Sequence, residues 1–222
     1  MTAPVASSGV ARARFLTFEG GEGAGKSVQA KRLASALTER GISVTLTREP
    51  GGTPGAEEIR ALLVQGAHGR WTPLTELMLF AAARSDHLDR LIRPKLAEGS
   101  WVISDRFADS TLAYQSAGQG LDRDIVETAN RLVVGATVPD LTFILDLPVE
   151  EGLKRADTRA AATGSTETRF ESFDRAFHER LRAAFHALAE EEPQRCILVD
   201  TGRSVDVVAA EIWSHVAARF GL

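Results

Sequence analysis

The chain has a single cysteine, Cys196, so no intrachain disulfide can form and no cysteine-based metal cluster can be drawn. Its place in the apolar run 195–200 (RCILVD) marks a buried structural thiol rather than a reactive one. An excess of basic residues is also missing. Twenty-six Lys and Arg against thirty Asp and Glu leave a net charge of −4, which argues against a general nucleic-acid binder. A phosphorylated substrate would therefore have to meet arginines concentrated in one place. No apolar run approaches the length of a membrane span, and the first residues lack the hydrophobic core of a secretion signal. The expectation is a cytoplasmic protein with neither a membrane nor a nucleic acid as partner. Internal repeats are absent. Residues 1–13 are small-residue rich and read as a disordered tail, and 14–222 suits one domain with a mobile insertion.

What the chain does have is concentrated between Phe15 and Ser27, FLTFEGGEGAGKS. A short apolar strand runs into a glycine-rich turn that ends in Lys-Ser at the start of a helical pattern. Gly20, Gly25, Lys26 and Ser27 fill the fixed positions of the P-loop pattern G-x-x-x-x-G-K-[ST], with Gly21, Glu22, Gly23 and Ala24 between them. The glycines let backbone N–H groups approach phosphate oxygens, and the following helix offers its unpaired N–H groups and positive dipole end to the same anion. Lys26 can reach the β- and γ-phosphates of a nucleotide such as ATP, and the Ser27 hydroxyl can ligate Mg²⁺.

Strands expected at 15–19, 42–47, 101–104, 141–147 and 196–199 alternate with helical patterns at 26–40, 56–65, 73–92, 149–159 and 205–220. This is an α/β chain: a five-stranded parallel sheet with helices on both faces. Ligands should gather beyond the carboxyl ends of the strands, where Gly20, Arg48, Asp105 and Asp146 fall. Residues 160–168 are small and polar and read as mobile, the centre of a lid at about 155–170. Phe170, Phe173, Phe177 and Leu181 follow at helical spacing and read as core.

Phosphoryl transfer between two nucleotides must bring phosphates together against their repulsion, so the acceptor needs guanidinium groups aimed at it. Arg48 and Arg106 each follow a strand, and Arg84 lies on the helix between them. Asp105 ends the third strand, where a carboxylate can hold a Mg²⁺-bound water or serve as a partner for Arg106. Glu22 sits inside the P-loop, where an acid repels phosphate; it should point toward a hydroxyl or amine of the acceptor. Phe80 offers a stacking face for a base. Arg155, Arg159 and Arg169 bracket the lid, which can close over the triphosphate and bring a transition-state charge.

Glu19-Gly20-Gly21-Glu22-Gly23-Ala24-Gly25-Lys26-Ser27, Arg48-Glu49-Pro50-Gly51-Gly52-Thr53 and Asp105-Arg106-Phe107 together closely resemble the thymidylate kinases. The resemblance runs from about Phe15 to the C-terminus. It implies transfer of the ATP γ-phosphate to dTMP, giving dTDP on the route to dTTP, with Mg²⁺ and in a homodimer. It implies that Arg48 and Arg106 hold the dTMP phosphate, that Glu22 sits near the sugar hydroxyl, that Phe80 stacks on thymine and that Arg84 bonds its edge. Thr111, Tyr114 and Gln115 match positions lining the nucleoside pocket, the Tyr ring discouraging a ribose 2′-hydroxyl. With no arginine at 21–24, the chain is similar to the members that carry the catalytic arginine in the lid, with Arg159 placed ahead of Arg155 and Arg169. Three positions depart from the pattern: Val28 stands where Thr is common, Asp157 where a lid arginine is usual, and Thr168 where Asp is frequent. The rival readings are another nucleotide or deoxynucleoside kinase and a non-catalytic P-loop switch. The absence of an Asn-Lys-x-Asp motif counts against a GTPase switch.

Overall fold

In the computed structural model, residues 12–66, 69–163, 169–170 and 173–222 are described. Most of the expected tail and residues 164–168 of the expected lid lie outside them. Five strands form one parallel sheet: β1 (Phe15–Gly20), β2 (Val44–Arg48), β3 (Trp101–Asp105), β4 (Leu141–Asp146) and β5 (Cys196–Asp200), in the order β2-β3-β1-β4-β5. β1 is buried along its whole length, because helices cover both faces of a strand at the sheet's centre. The pairing register aligns the strand ends: Arg48 lies beside Asp105, Phe18 beside Asp105, and Gly20 beside Leu145. One rim of the sheet therefore carries the chemistry-bearing residues, at the point where the strand order reverses.

Helix α1 (Lys26–Thr38) turns Ala30, Leu33 and Leu37 onto the sheet, where they join Leu16, Phe18, Phe143 and Ile212 in the main core. α2 (Pro54–Val64) and α3 (Pro73–His87) both begin with Pro behind a Thr cap, Thr53 and Thr72, whose side chains accept the Ala56 and Thr75 N–H groups. Each such cap stabilises its helix by about 1 kcal/mol. The apolar pattern expected to run to Ile92 does so, but as a π-helical turn at Leu88–Ile92 that leads into α4 (Arg93–Ala97). The looser turn falls just before Pro94, whose ring would crowd an unbroken α-helix.

After β3 come α5 (Ala108–Thr111), a second π-helical stretch at Leu112–Gly118, and α6 (Arg123–Val134), capped by the Asp122 side chain. α7 (Val149–Thr163) is longer than the sequence pattern suggested. Residues 160–163 (AAAT) continue the helix because alanine is its best former. α8 (Arg175–Glu191) and α9 (Val205–Phe220) close the chain. Cys196 is buried, and burial pushes its thiol up to about 12, which suits the structural role. Among the described residues no helix is long and apolar enough to cross a membrane.

Candidate active site

β1 delivers the chain to Gly20 with φ at 128°, and a Cβ there would overlap the carbonyl of Leu145 on β4. Gly23 meets the backbone of Gly152 on α7 in the same way, at φ 68°. These two positions admit only glycine, so the loop is fixed by backbone contact with β4 and α7. At the start of α1, Lys26 turns back over the loop and donates to the carbonyls of Gly20 (3.1 Å) and Gly21 (2.6 Å). Burial, together with the charge of Arg106, pushes this ammonium down to about 8 against the pull of Glu22, Asp105 and Glu19.

Ser27 Oγ hydrogen-bonds Asp105 Oδ2, so the P-loop hydroxyl and the carboxylate at the end of β3 share one spot. Among the described residues no group of three or more His, Cys, Asp and Glu is placed to hold a metal. One hydroxyl and one carboxylate are nonetheless the donor set that suits Mg²⁺, which keeps waters and takes phosphate oxygens rather than an all-protein cage.

Above the loop opens a cleft of about 400 Å³. It brings together Lys26, Ser27 and Asp105 with Glu22, Arg48, Phe80, Arg84, Arg106, Thr111, Tyr114, Gln115 and Arg159. Residues drawn from six separate segments of the sequence thus share one cavity. Arg106 is the pivot between the loop and the segment after β3. Among the described residues it is the one non-glycine residue with positive φ, at 69°, a costly conformation for a side-chain-bearing residue. Its N–H donates to Phe18 O (2.9 Å) and its carbonyl accepts Ser104 Oγ (2.7 Å), which hold the turn. The guanidinium, thus swung inward, donates to Gly20 O (3.1 Å), Ser110 Oγ (3.0 Å) and Glu22 Oε1 (2.9 Å).

Glu22 also accepts the Tyr114 hydroxyl at 2.6 Å. Burial alone would raise its carboxyl, but Arg106, Lys26, that hydroxyl and Arg159 together hold it down at about 2. It is therefore a fixed negative charge on the side of the loop facing Arg106 and Tyr114. Beneath it, Glu19 accepts the Phe107 N–H (2.7 Å) and Ser110 Oγ (2.5 Å). Burial and the charge of Asp109 push Glu19 up to about 8, despite Ser110, Arg106 and the Phe107 amide.

Arg84 is 2% exposed and is held by Glu49 (2.8 Å), Asn130 (3.0 Å), Phe107 O (3.1 Å) and Thr111 (2.8 Å). These bonds engage four of the five N–H donors of a guanidinium, leaving one Nη1 hydrogen on a residue that lines the cleft. Glu49, in the Arg-Glu-Pro-Gly-Gly-Thr stretch, had no expected role. It is the buried acceptor that orients Arg84 and His87. Arg48 is looser, its side chain 46% exposed and paired with Glu57 at 3.1 Å.

The three arginines around the expected lid go to three places. Arg159 lines the cleft. Arg155 turns to Glu151 and to the carbonyl of Thr201. Arg169 is buried against Glu76 and donates to Leu63 O at 2.8 Å. Asp146, a strand-end acid, is held by Arg182 (2.7 and 2.8 Å) and His186 (2.8 Å) and takes no part in the cleft. Phe170 corrects the sequence reading. It packs on the core beside Phe177 yet also faces the cleft, with its ring 6.1 Å from Phe80 and 5.7 Å from Tyr114. Like Phe173 it precedes α8, so the helical spacing that begins with Phe177 does not carry back to it. Arg60 lines the cleft too, donating to Pro50 O at 2.8 Å, and no motif pointed to it.

A family model described as thymidylate kinase matches residues 18–212. The chain belongs to the thymidylate kinase family. It is 53% identical over 208 residues to a thymidylate kinase of Caulobacter vibrioides, covering 94% of this chain and 98% of that one. With a thymidylate kinase of Dinoroseobacter shibae the identity is 52% over 203 residues, 91% of this chain and 96% of the other. The crystal structure of the Ehrlichia chaffeensis thymidylate kinase superposes with a TM-score of 0.73 at 35% identity, over 92% of this chain and 98% of that one. The thymidylate kinase fold thus accounts for the five-stranded parallel sheet and its flanking helices.

Proposed function

We propose that this protein transfers the γ-phosphate of ATP to dTMP, giving dTDP on the route to dTTP. The observation that carries this reading is one cleft lined by two sets of cations, Lys26 of the P-loop and, beyond it, Arg48 with Arg106. A nucleotide-binding switch needs the first set but not the second. The loop Gly20–Ser27 cradles the triphosphate and Lys26 neutralises its β- and γ-oxygens. Arg48 and Arg106 hold the acceptor phosphate, Phe80 stacks on the base and the remaining Arg84 N–H meets its edge. Thr111 and Gln115 complete the nucleoside pocket. The Tyr114 ring, tied to Glu22, sits where a ribose 2′-hydroxyl would crowd it.

Arg159 supplies charge to the transferring group, the role of an arginine finger within one chain. No general base is required, because the acceptor phosphate is already an anionic nucleophile. Ser27 and Asp105 are the residues that would hold Mg²⁺. When bound, the ion offsets phosphate charge as the oxygens approach one another.

Residues 14–222 act as one kinase unit with a lid at about 155–170, in the cytoplasm. The unit pairs as a homodimer. In support, α3 and α6 pack through Leu77, Val126 and Ala129 yet leave Leu74, Met78, Ile125 and Leu132 exposed, the last at 84%. Sedimentation of the full chain tests the pairing, and the mass of one chain would count against it. For the activity, purified protein is assayed with ATP and dTMP, dUMP, dCMP or thymidine. The expected result is clear preference for dTMP; preference for any other acceptor overturns the reading.

A further inference from the structure

We infer that Glu76, a residue outside the cleft, is the positioning residue for the nucleoside pocket. This rests on the reading of the cleft as a dTMP site. Glu76 lies on α3 and is 0% exposed. One of its oxygens, Oε1, accepts the side-chain amides of Gln115 (2.9 Å) and Gln119 (2.5 Å). The other, Oε2, pairs with Arg169. A single buried carboxylate thus ties the π-helical stretch that carries Gln115 to the residue preceding Phe170. A buried acid at this depth is stable only when it is paired and hydrogen-bonded, and these three side chains supply that pairing.

Two features of the pocket follow. Arg169, fixed by Glu76 and by the carbonyl of Leu63, carries Phe170 to its place against Phe80 and Tyr114. Gln115 must turn its NH₂ toward Glu76, because a carboxylate in an ion pair only accepts. Its Oε1 then points away from Glu76, and it is buried with no hydrogen-bond partner among the described residues although the residue lines the cleft. An acceptor without a partner in a buried site costs free energy that a donor on the ligand recovers. A pyrimidine with an imide N–H supplies such a donor, directly or through a water, whereas cytosine presents a ring-nitrogen acceptor. Glu76 therefore sets the polarity of the pocket without touching its occupant.

Glu76→Gln tests this in the full chain, because an amide can donate as well as accept and lets the Gln115 amide reverse. The expected result is a KM for dTMP raised about tenfold with the KM for ATP and kcat held within about twofold. The preference for dTMP over dCMP should fall by a similar factor. Calorimetric titration with dTMP alone should show the same weakening, which gives a readout independent of turnover. Equal changes in both KM values, or an unchanged preference for dTMP, would overturn the inference. Should that variant fail to fold, Glu76→Asp keeps the charge but withdraws it by one methylene. It is expected to weaken dTMP several-fold with ATP unaffected, and unchanged dTMP binding in it has the same overturning force. Parent protein inactive on dTMP would sink the functional reading itself. An active parent with an unmoved variant sinks only the role of Glu76.

Discussion

The two walls of the cleft are built by different means. The donor wall is one continuous stretch, Gly20–Ser27, set by backbone contact with β4 and α7. Its one cation, Lys26, rests on the carbonyls of Gly20 and Gly21. The acceptor wall is assembled from β2, α3, the turn after β3 and the π-helical stretch that follows. Each of its arginines is already engaged by a carboxylate: Arg48 by Glu57, Arg84 by Glu49 and Arg106 by Glu22. A phosphate oxyanion outcompetes a neutral carbonyl for an ammonium, so the donor wall stands ready. On the acceptor wall, geometry is secured by ion pairs whose strength varies with burial. The Arg84–Glu49 pair is at most 4% exposed and keeps its place. The Arg48–Glu57 pair is more than 40% exposed, contributes little to stability and is free to exchange its partner for phosphate.

The contrast can be broken most severely on the donor wall. Lys26→Ala removes the charge where charge develops, and kcat should fall by about a thousandfold or more in a coupled ATP assay. A loss of under tenfold would mean that the donor wall relies on backbone alone. Second comes the question of which arginine joins the two walls. Arg159→Ala should lower kcat about a hundredfold with dTMP binding little changed, whereas Arg155→Ala, whose side chain faces Glu151 and Thr201, should remain near the parent. The reverse ranking would place the finger elsewhere.

The smallest effect concerns pH. Glu19 lies beneath both walls with its carboxyl raised from the ordinary 4.5 to about 8, so the folded state holds this proton more tightly than the unfolded chain. Its contribution to stability is complete below about pH 4.5 and is lost as pH rises through about 8. Lys26, lowered from 10.5 to about 8, works in the other sense: its contribution is complete above 10.5 and lost as pH falls through about 8. Glu19→Gln should therefore flatten the decline of Tm from acid toward roughly pH 8. A slope parallel to the parent's would show that Glu19 does not titrate there.

The donor wall was legible because its chemistry lies in neighbouring residues. Gly20, Gly25, Lys26 and Ser27 need only local backbone geometry to act together, and a pattern of spacing describes such geometry. Arg48, Asp105 and Arg106 were legible through their place at strand ends. Register puts Arg48 beside Asp105 once the sheet is parallel. Phe170 was misread as core alone because helical spacing from Phe173 to Leu181 hides the fact that α8 starts only at Arg175. Glu49 and Glu76 were missed because each acts on side chains far along the sequence that no motif links, and Arg60 because its bond goes to the backbone carbonyl of Pro50, which no residue pattern marks.

By itself, then, the sequence determined the order of strands and helices, the phosphate loop and the family, since these depend on local periodicity and on short stretches of fixed spacing. Only the tertiary structure decided which of Arg155, Arg159 and Arg169 reaches the cleft, which carboxylate holds each arginine, and that Asp146 is spent on Arg182 and His186. Those outcomes depend on burial. A charge removed from water must find a partner wherever the packing brings one, and packing joins residues that are remote in the chain.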